Sequence, residues 1–163
     1  MNWLGMMVDV SQVSDETFFD VLRMSRAPVI ASHSSCRAVA DHIRNVNDGQ
    51  LRVLAENGGV IMINFYPAYI DEEARCEAKA YFDKWKSAFE EMKAEHGENS
   101  IAVGQERGAH VVPQTSVAVL LDHAIRVAGV DHVGIGADWD GVPSMPRDME
   151  DVAQLPRLMA GLL

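Results

Sequence analysis

The sequence predicts an α/β protein built on a parallel β-sheet. Four short apolar segments are expected to be strands, at residues 5–10, 28–32, 59–65 and 132–138. None of them alternates polar with apolar residues, which is the pattern of strands covered on both faces. Segments with helical periodicity separate these strands. Repeated strand–helix units favour parallel pairing with right-handed crossovers.

Helix-start and helix-stop signals support this order of elements. Ser14 can cap a helix whose first turn is acidic, which suits the positive end of the helix dipole. Asn47 and Gln50 have the spacing of a capping box, and Gly58 is suited to the end of that helix. We expect a later helix to begin with Thr115 as its cap.

Two more helices are predicted, at residues 72–95 and 148–163. In the first of them Tyr81, Trp85 and Phe89 recur at helical spacing. Such a stripe favours packing in a hydrophobic core over the binding of a cofactor.

Composition and charge limit the classes of function. The chain has 163 residues and shows no linker or low-complexity segment, so we expect one domain. Its formal net charge of −10 disfavours nucleic acid or an anionic membrane as the main partner. Two cysteines without metal-ligand spacing predict no disulfide framework and a reducing, cytoplasmic location. No segment approaches the roughly 18 apolar residues of a membrane span.

Polar side chains follow each predicted strand at its C-terminal end. Carboxyl ends of parallel strands meet at one edge of a sheet, where active sites of α/β proteins gather. The residues are Asp9, Gln12, His33, Ser34, Ser35, Asn64, Tyr66, Asp138 and Asp140. A functional site is therefore expected at this edge.

Three residues are the main candidates, and residue chemistry alone leaves two interpretations for each. His33 is either a metal ligand or a buried histidine bonded to the backbone. Asp138 is either a general acid–base or metal-binding group, or the first residue of a turn. Arg44 either binds a carboxylate with its planar fork or lies exposed in solvent.

The other histidines show no metal-ligand spacing, and we expect most of them to lie at the surface or in loops. They are His42, His96, His110, His123 and His132.

Five segments together resemble the renal (membrane) dipeptidase family of metallopeptidases. They are VDVSQVSDETF, SRAPVIASHSSCRAV, RNVNDGQLR, GGVIMINFYPAYI and DHVGIGADWDGVP. The resemblance implies a (β/α)8 TIM-type barrel with a two-metal site, usually zinc, at the C-terminal ends of its strands. It implies hydrolysis of dipeptides. The four strands here resemble the last four of that barrel, so residues 1–163 are interpreted as a single domain, the C-terminal half of an incomplete barrel.

The resemblance also implies roles for individual residues. His33 falls on a histidine that binds the second metal. Arg44 falls on the arginine that holds the terminal carboxylate of the dipeptide, and Tyr69 on a tyrosine that lines the same pocket. Asp138 falls on the catalytic aspartate that handles the proton.

One ligand position departs from the family pattern. The family motif reads D-x-x-H-x-S, and this chain has Gln12 where the motif has histidine. An amide oxygen is a weaker ligand for zinc than an imidazole. The family's H-x-D pair and bridging glutamate also have no counterpart before Asp9. These departures favour an alternative, a non-catalytic remnant or a half-barrel binding module that can associate as a homo-oligomer.

Overall fold

The computed structural model describes residues 1–96 and 112–162, apart from the side chains of residues 85, 88, 89 and 91–96. The helices are α1 (Asp15–Met24), α2 (Asp48–Glu56), α3 (Pro67–Ile70), α4 (Glu72–His96), α5 (Thr115–Ala128) and α6 (Leu155–Gly161). The strands are β1 (Ile30–Ser34), β2 (Val60–Ile63) and β3 (Val133–Ile135). Short 3-10 helices lie at Asn2–Leu4, Val130–His132 and Val152–Gln154.

The three strands form a parallel sheet with β2 in the centre. This confirms the predicted α/β class and parallel pairing. Ile61 of β2 is opposite both Ala31 of β1 and Val133 of β3. Since all three strands run the same way, their C-terminal ends share one edge, where the polar residues begin.

The strand expected at residues 5–10 is wrong in extent. A single parallel bridge joins Asp9 to Ile30, with backbone hydrogen bonds from Val10 N to Ile30 O and from Ile30 N to Val8 O. Only this short stretch lies against β1, because the chain before it forms a 3-10 helix that ends at Gly5 with a φ of 67°. The segment still adds a fourth parallel element beside β1.

Helices α1, α2 and α5 lie side by side, and α2 and α5 pack against the sheet. Their apolar stripes are buried, as the helical periodicity predicts. The buried side chains include Phe18 and Leu22 of α1, Leu51 and Leu54 of α2, and Val117, Leu120 and Leu121 of α5. These side chains form the core together with Ile61 and Ile63 of β2, and burial of each large residue contributes about 1.5–3 kcal/mol.

The predicted starts of α1 and α2 are confirmed. The hydroxyl of Ser14 accepts a hydrogen bond from the backbone N–H of Thr17. Asn47 and Gln50 form the reciprocal bonds of a capping box. Gly58 follows the end of α2 with a φ of 77°, a conformation that glycine adopts without a steric penalty.

Two other helix boundaries differ from expectation. Thr115 is the first residue of α5 and not its cap, since Gln114 precedes the helix without a side-chain cap bond. The helix expected at residues 148–163 begins later, because Asp151 caps the 3-10 turn before α6 in a capping box with Gln154.

The expectation that the aromatic residues of α4 pack in the core is wrong for Tyr81, whose side chain is 38% exposed. The neighbouring Phe82 is 55% exposed. Helix α4 packs on α3, and Ala74 in its first turn is buried. The side chains of Trp85 and Phe89 lie outside the described part of the structure.

Strands β1 and β3 approach each other closely where β1 is irregular. The register of β1 against β2 shifts between Ala31 and Ser34. A Cβ placed on Gly136 would lie 2.0 Å from the backbone oxygen of Ser32. Glycine at this position therefore allows the end of β3 to pass next to the segment that carries His33.

Candidate active site

His33 is held between two hydrogen-bonding groups at the end of β1. Its Nε2 lies 2.6 Å from Nε2 of Gln12, and its Nδ1 lies 2.7 Å from the hydroxyl of Ser32. His33 is half-buried, whereas Gln12 is exposed and has a left-handed backbone φ of 70°. The two positions singled out from the sequence as metal ligands are therefore in direct contact.

The hydrogen-bond network fixes which nitrogen of His33 carries the proton. The hydroxyl of Ser32 donates to a carboxylate oxygen of Asp9, so its oxygen accepts from the N–H at Nδ1 of His33. Nε2 is then the unprotonated nitrogen, and it accepts from the amide N–H of Gln12. Nε2 is the nitrogen with the lone pair that a metal would need, and here Gln12 uses it.

Asp9 anchors this network. Partial burial would raise the pKa of Asp9, but hydrogen bonds from Ser32 and Ser11 outweigh it and bring the pKa below its ordinary value. The backbone N–H groups of both serines also donate to Asp9 Oδ1, at 2.9 and 3.2 Å. Asp9 therefore stays ionised and is occupied by these donors.

The residues present do not fit a pair of metal ions. Within residues 1–96 and 112–162, no three His, Cys, Asp or Glu side chains are grouped so that they could hold a metal. A structural zinc site takes four protein ligands and a catalytic one takes three. His33 and Gln12 offer at most two, and their mutual hydrogen bond must break first.

Asp138 lies beyond β3 and contacts the end of β2. The amide nitrogen of Asn64 donates to Asp138 Oδ2 at 3.0 Å, and Asn64 itself is fully buried. Asp138 has a left-handed φ of 65°, stabilised by the turn bond from Gly141 N to its carbonyl oxygen. A Cβ on Gly141 would lie 2.1 Å from Asp138 Oδ1, so this side-chain position requires glycine there. Asp138 is thus held by the neighbouring strand end in a half-buried position.

Arg44 and Tyr69 form a second pair of contacts near the same edge. Nη1 of Arg44 donates to the hydroxyl of Tyr69 at 3.0 Å, and the guanidinium carbon lies 5.1 Å from the centre of that ring. Tyr69 lies in α3, which follows the end of β2. No carboxylate forms an ion pair with Arg44 among the residues that the structure describes. Its positive charge is half-buried and available to an anion.

A pocket of about 440 Å³ is lined by Tyr69 of this pair. Residues from the loop before α2 and from α3 and α4 line it, including His42, Tyr66, Tyr69, Arg75 and Phe82. The His42 ring lies 4.6 Å from the Tyr69 ring, and burial together with the nearby Arg44 and Arg75 lowers the pKa of His42. Burial is the largest cause of this lowered pKa, and the charges of the two arginines act in the same direction.

The structure joins the predicted site residues in three separate pairs. Gln12 contacts His33, Arg44 contacts Tyr69, and Asp138 contacts Asn64 rather than another candidate. In the described part of the chain, no hydrogen bond joins one pair to another. All three pairs lie at or beyond the C-terminal ends of the strands, on the edge that the sequence predicts.

Two of the remaining histidines have structural partners. His123 lies 2.9 Å from Asp48, and His132 contacts the backbone oxygen of Gly59. His110 and the side chain of His96 lie outside the described residues.

Comparison with known proteins decides the family. The family model of the membrane dipeptidases, peptidase family M19, matches residues 1–163. The chain belongs to the membrane dipeptidase family. An uncharacterized dipeptidase of Schizosaccharomyces pombe is 36% identical to this member over 163 residues, which are all of this chain and 31% of that protein.

Solved structures agree with the assignment to the membrane dipeptidases. A metallopeptidase from Rhodobacter sphaeroides, solved with a phosphinate mimic of the dipeptide L-Ala-D-Ala, is 32% identical with a TM-score of 0.70. The match covers 99% of this chain and 36% of that one. The probable dipeptidase PvdM from Pseudomonas aeruginosa shares the fold, with a TM-score of 0.76 at 24% identity over 99% of this chain and 45% of its own.

This member of the dipeptidase family spans about a third of the length of the curated relative. Membership makes it a homologue of hydrolases that use metals. Of the helices described, none has the length and apolar character needed to cross a membrane.

Proposed function

We propose that the protein hydrolyses dipeptides, with this chain supplying the groups that bind the terminal carboxylate and handle the proton. One observation carries the proposal beyond family membership: the guanidinium of Arg44 has no carboxylate partner among the described residues and donates to Tyr69, which lines a pocket. A half-buried cation is stabilised by an anionic ligand, and the planar fork of arginine matches a carboxylate in bidentate geometry.

Arg44 and Tyr69 are the proposed binding groups for the carboxylate. The hydrogen bond to Tyr69 uses one N–H of Arg44 and orients the guanidinium, which has five N–H donors in all. The remaining donors can bind both oxygens of a carboxylate. Binding of the free C-terminus would restrict the substrates to short peptides whose scissile bond lies one residue away.

Asp138 is the proposed proton carrier. Its Oδ2 is held by Asn64, which fixes the plane of the carboxylate. A half-buried carboxylate in a fixed orientation can accept a proton from the attacking water and return it to the departing amine. Such a group typically contributes about 10²–10⁴-fold to the rate.

The metal of the intact protein is a further part of the proposal. Zinc is the metal that the resemblance implies, and its missing ligands would have to come from outside the described residues. The interpretation of this chain as the C-terminal half of a (β/α)8 barrel is supported by its parallel strands and by the greater length of its relatives. The described residues do not themselves fit a metal pair.

The test of substrate class is hydrolysis of L-alanyl-L-alanine and of its C-terminal amide, with zinc supplied. We expect cleavage of the free dipeptide and a much higher KM for the amide. Arg44→Lys should raise the KM for the free dipeptide and reduce the difference between the two substrates. Arg52→Lys on α2 is the matched control. Equal cleavage of both substrates by the wild-type protein would refute the carboxylate role of Arg44.

A non-catalytic binding module is the second candidate function. The contact between Gln12 and His33 favours it, since this contact occupies the nitrogen that a metal ligand would use. Elemental analysis separates the candidates: two equivalents of zinc in the purified protein would refute the binding module, and a zinc-free protein would refute catalysis by this chain alone. Self-association, the related hypothesis from the sequence, predicts a dimer in light scattering, and a strict monomer would contradict it.

A further inference from the structure

The loop that carries Arg44 is closed at its base. This segment, residues 37–46, is called the Arg44 loop below. Cys36 forms a parallel bridge with Val46, and Arg37 N donates to Val46 O at 2.8 Å. The base is therefore fixed by backbone bonds, while the rest of the loop has no strand or helix of its own.

Arg37 holds the Arg44 loop in place at the position of Arg44, and Arg37 together with Asp15 is called the brace below. Its Nε donates to the carbonyl oxygen of Asn45 at 3.0 Å, and its Nη2 donates to the carbonyl oxygen of Ile43 at 3.2 Å. These two carbonyl groups belong to the residues on either side of Arg44. One guanidinium group thus holds the backbone on both sides of the proposed carboxylate-binding residue.

Asp15, in the first turn of α1, holds Arg37 in place. Both of its oxygens accept from the Arg37 fork, each at 2.9 Å, and Oδ1 also accepts from the side chain of Gln50 at 3.1 Å. The hydrogen bonds from Arg37 lower the pKa of Asp15, so the pair stays ionised at neutral pH. The brace therefore connects the Arg44 loop to α1 and α2.

A second contact ties the loop to the tyrosine. The amide nitrogen of Asn45 donates to the backbone oxygens of Ala40 and Tyr69, both at 2.8 Å. Asn45 is almost fully buried. Because Asn45 also accepts from Arg37, the brace reaches both members of the Arg44–Tyr69 pair.

We propose that Arg37, held by Asp15, is a positioning residue that sets the place of Arg44 for the terminal carboxylate. The proposal rests on the proposed function, since it assumes that Arg44 binds this carboxylate. Arg37 makes its contacts to the backbone of the loop and is not itself assigned a contact with substrate. Lysine cannot replace it, because one ammonium group lacks the fork that reaches two carbonyls and a carboxylate together.

Loss of the brace should affect carboxylate recognition specifically. A displacement of about 1 Å at a positioning group can cost up to about 100-fold in function. A general loss of stability would weaken binding of ligands with and without a carboxylate equally. The ratio of the two affinities therefore separates a positioning role from a purely structural one.

The experiment measures this ratio by isothermal titration calorimetry. The probes are the methyleneamino analogue of alanyl-alanine, which has no peptide bond to cleave, and its C-terminal amide. The variants are Arg37→Lys and Asp15→Asn. Asparagine keeps the shape of the aspartate side chain, so Asp15→Asn still tests the proposal if Arg37→Lys folds poorly. The matched controls are Arg23→Lys and Asp20→Asn, which alter an exposed Arg–Asp pair on the same helix.

We expect the wild-type protein and both controls to prefer the free acid. Arg37→Lys and Asp15→Asn should each lower that preference by about tenfold, equivalent to about 1.4 kcal/mol, with little change for the amide. Wild-type preference retained in both variants would overturn the positioning role while leaving Arg44 as the binding group. No preference in the wild-type protein would overturn the proposed function and the positioning role with it.

Discussion

Replacing Gly136 with alanine tests the close approach of β3 to β1. The new Cβ would lie 2.0 Å from the backbone oxygen of Ser32 and 2.7 Å from the Cβ of Met62. Carbon–oxygen contacts are normally about 3.3 Å or longer, so the strands would have to separate by more than about 1 Å. Neither neighbour is the flexible end of a side chain. We expect a loss of about 3 kcal/mol in the free energy of unfolding.

Urea unfolding followed by circular dichroism measures this loss of free energy. In a separate thermal unfolding experiment, the melting temperature should fall by about 6–12 °C. Gly134→Ala, two residues earlier within β3, is the matched control, because its Cβ would lie 3.4 Å from Met62 Cγ and meet no backbone atom closer than 3.9 Å. That variant should change stability by no more than about 1 kcal/mol. Equal losses in the two variants would refute the close approach.

Two further predictions follow from Asp15 and Gln12. Arg37 lowers the pKa of Asp15 in the folded protein. The ion pair therefore contributes its full stabilisation above the ordinary aspartate pKa of about 4, and this stabilisation is lost as the pH falls through the lowered pKa. The stability difference between wild type and Asp15→Asn should therefore shrink in urea titrations as the pH is lowered from 7 to 3, and a constant difference would contradict the ion pair. Gln12→His should bind zinc more tightly than wild type in calorimetric titration, because an imidazole replaces the amide beside His33. Gln12→Ala should show no such gain. Equal zinc affinities in all three proteins would contradict the contact between residues 12 and 33.

Local signals explain which parts of the fold could be predicted. The cap at Ser14 and the capping box at Asn47 involve residues three apart, and both occur in the structure as expected. The box at Asp151 is of the same kind and would have placed the start of the last helical segment correctly. Parallel pairing was also predictable, since it follows from the alternation of strands and helices.

The predictions that were wrong depended on contacts between residues far apart in the sequence. Whether residues 5–10 form a full strand depends on the partners beside them, and in the described structure the segment is bridged to β1 only at Asp9. The exposure of Tyr81 depends on what packs against α4, which helical periodicity does not reveal.

The sequence predicts which residues belong to the candidate site, but it does not predict which side chains contact one another there. Gln12 and His33 are in contact, and their interpretation as one ligand site stays a prediction. The roles of His33, Arg44, Tyr69 and Asp138 stay predictions.

Arg37 and Asn64 were not given roles from the sequence. Arg37 donates to backbone carbonyl groups, and Asn64, at the end of β2, donates to Asp138. Neither kind of contact has a sequence motif.

The most direct test of the proposed function is the rate of alanyl-alanine hydrolysis by Asp138→Asn in the presence of zinc. Asparagine keeps the shape of the side chain but cannot take up the proton. We predict cleavage by the wild-type protein, a loss of about 100-fold or more in kcat for this variant, and little change for Asp140→Asn, which alters the exposed aspartate two residues on. Equal rates for wild type and Asp138→Asn would contradict the account.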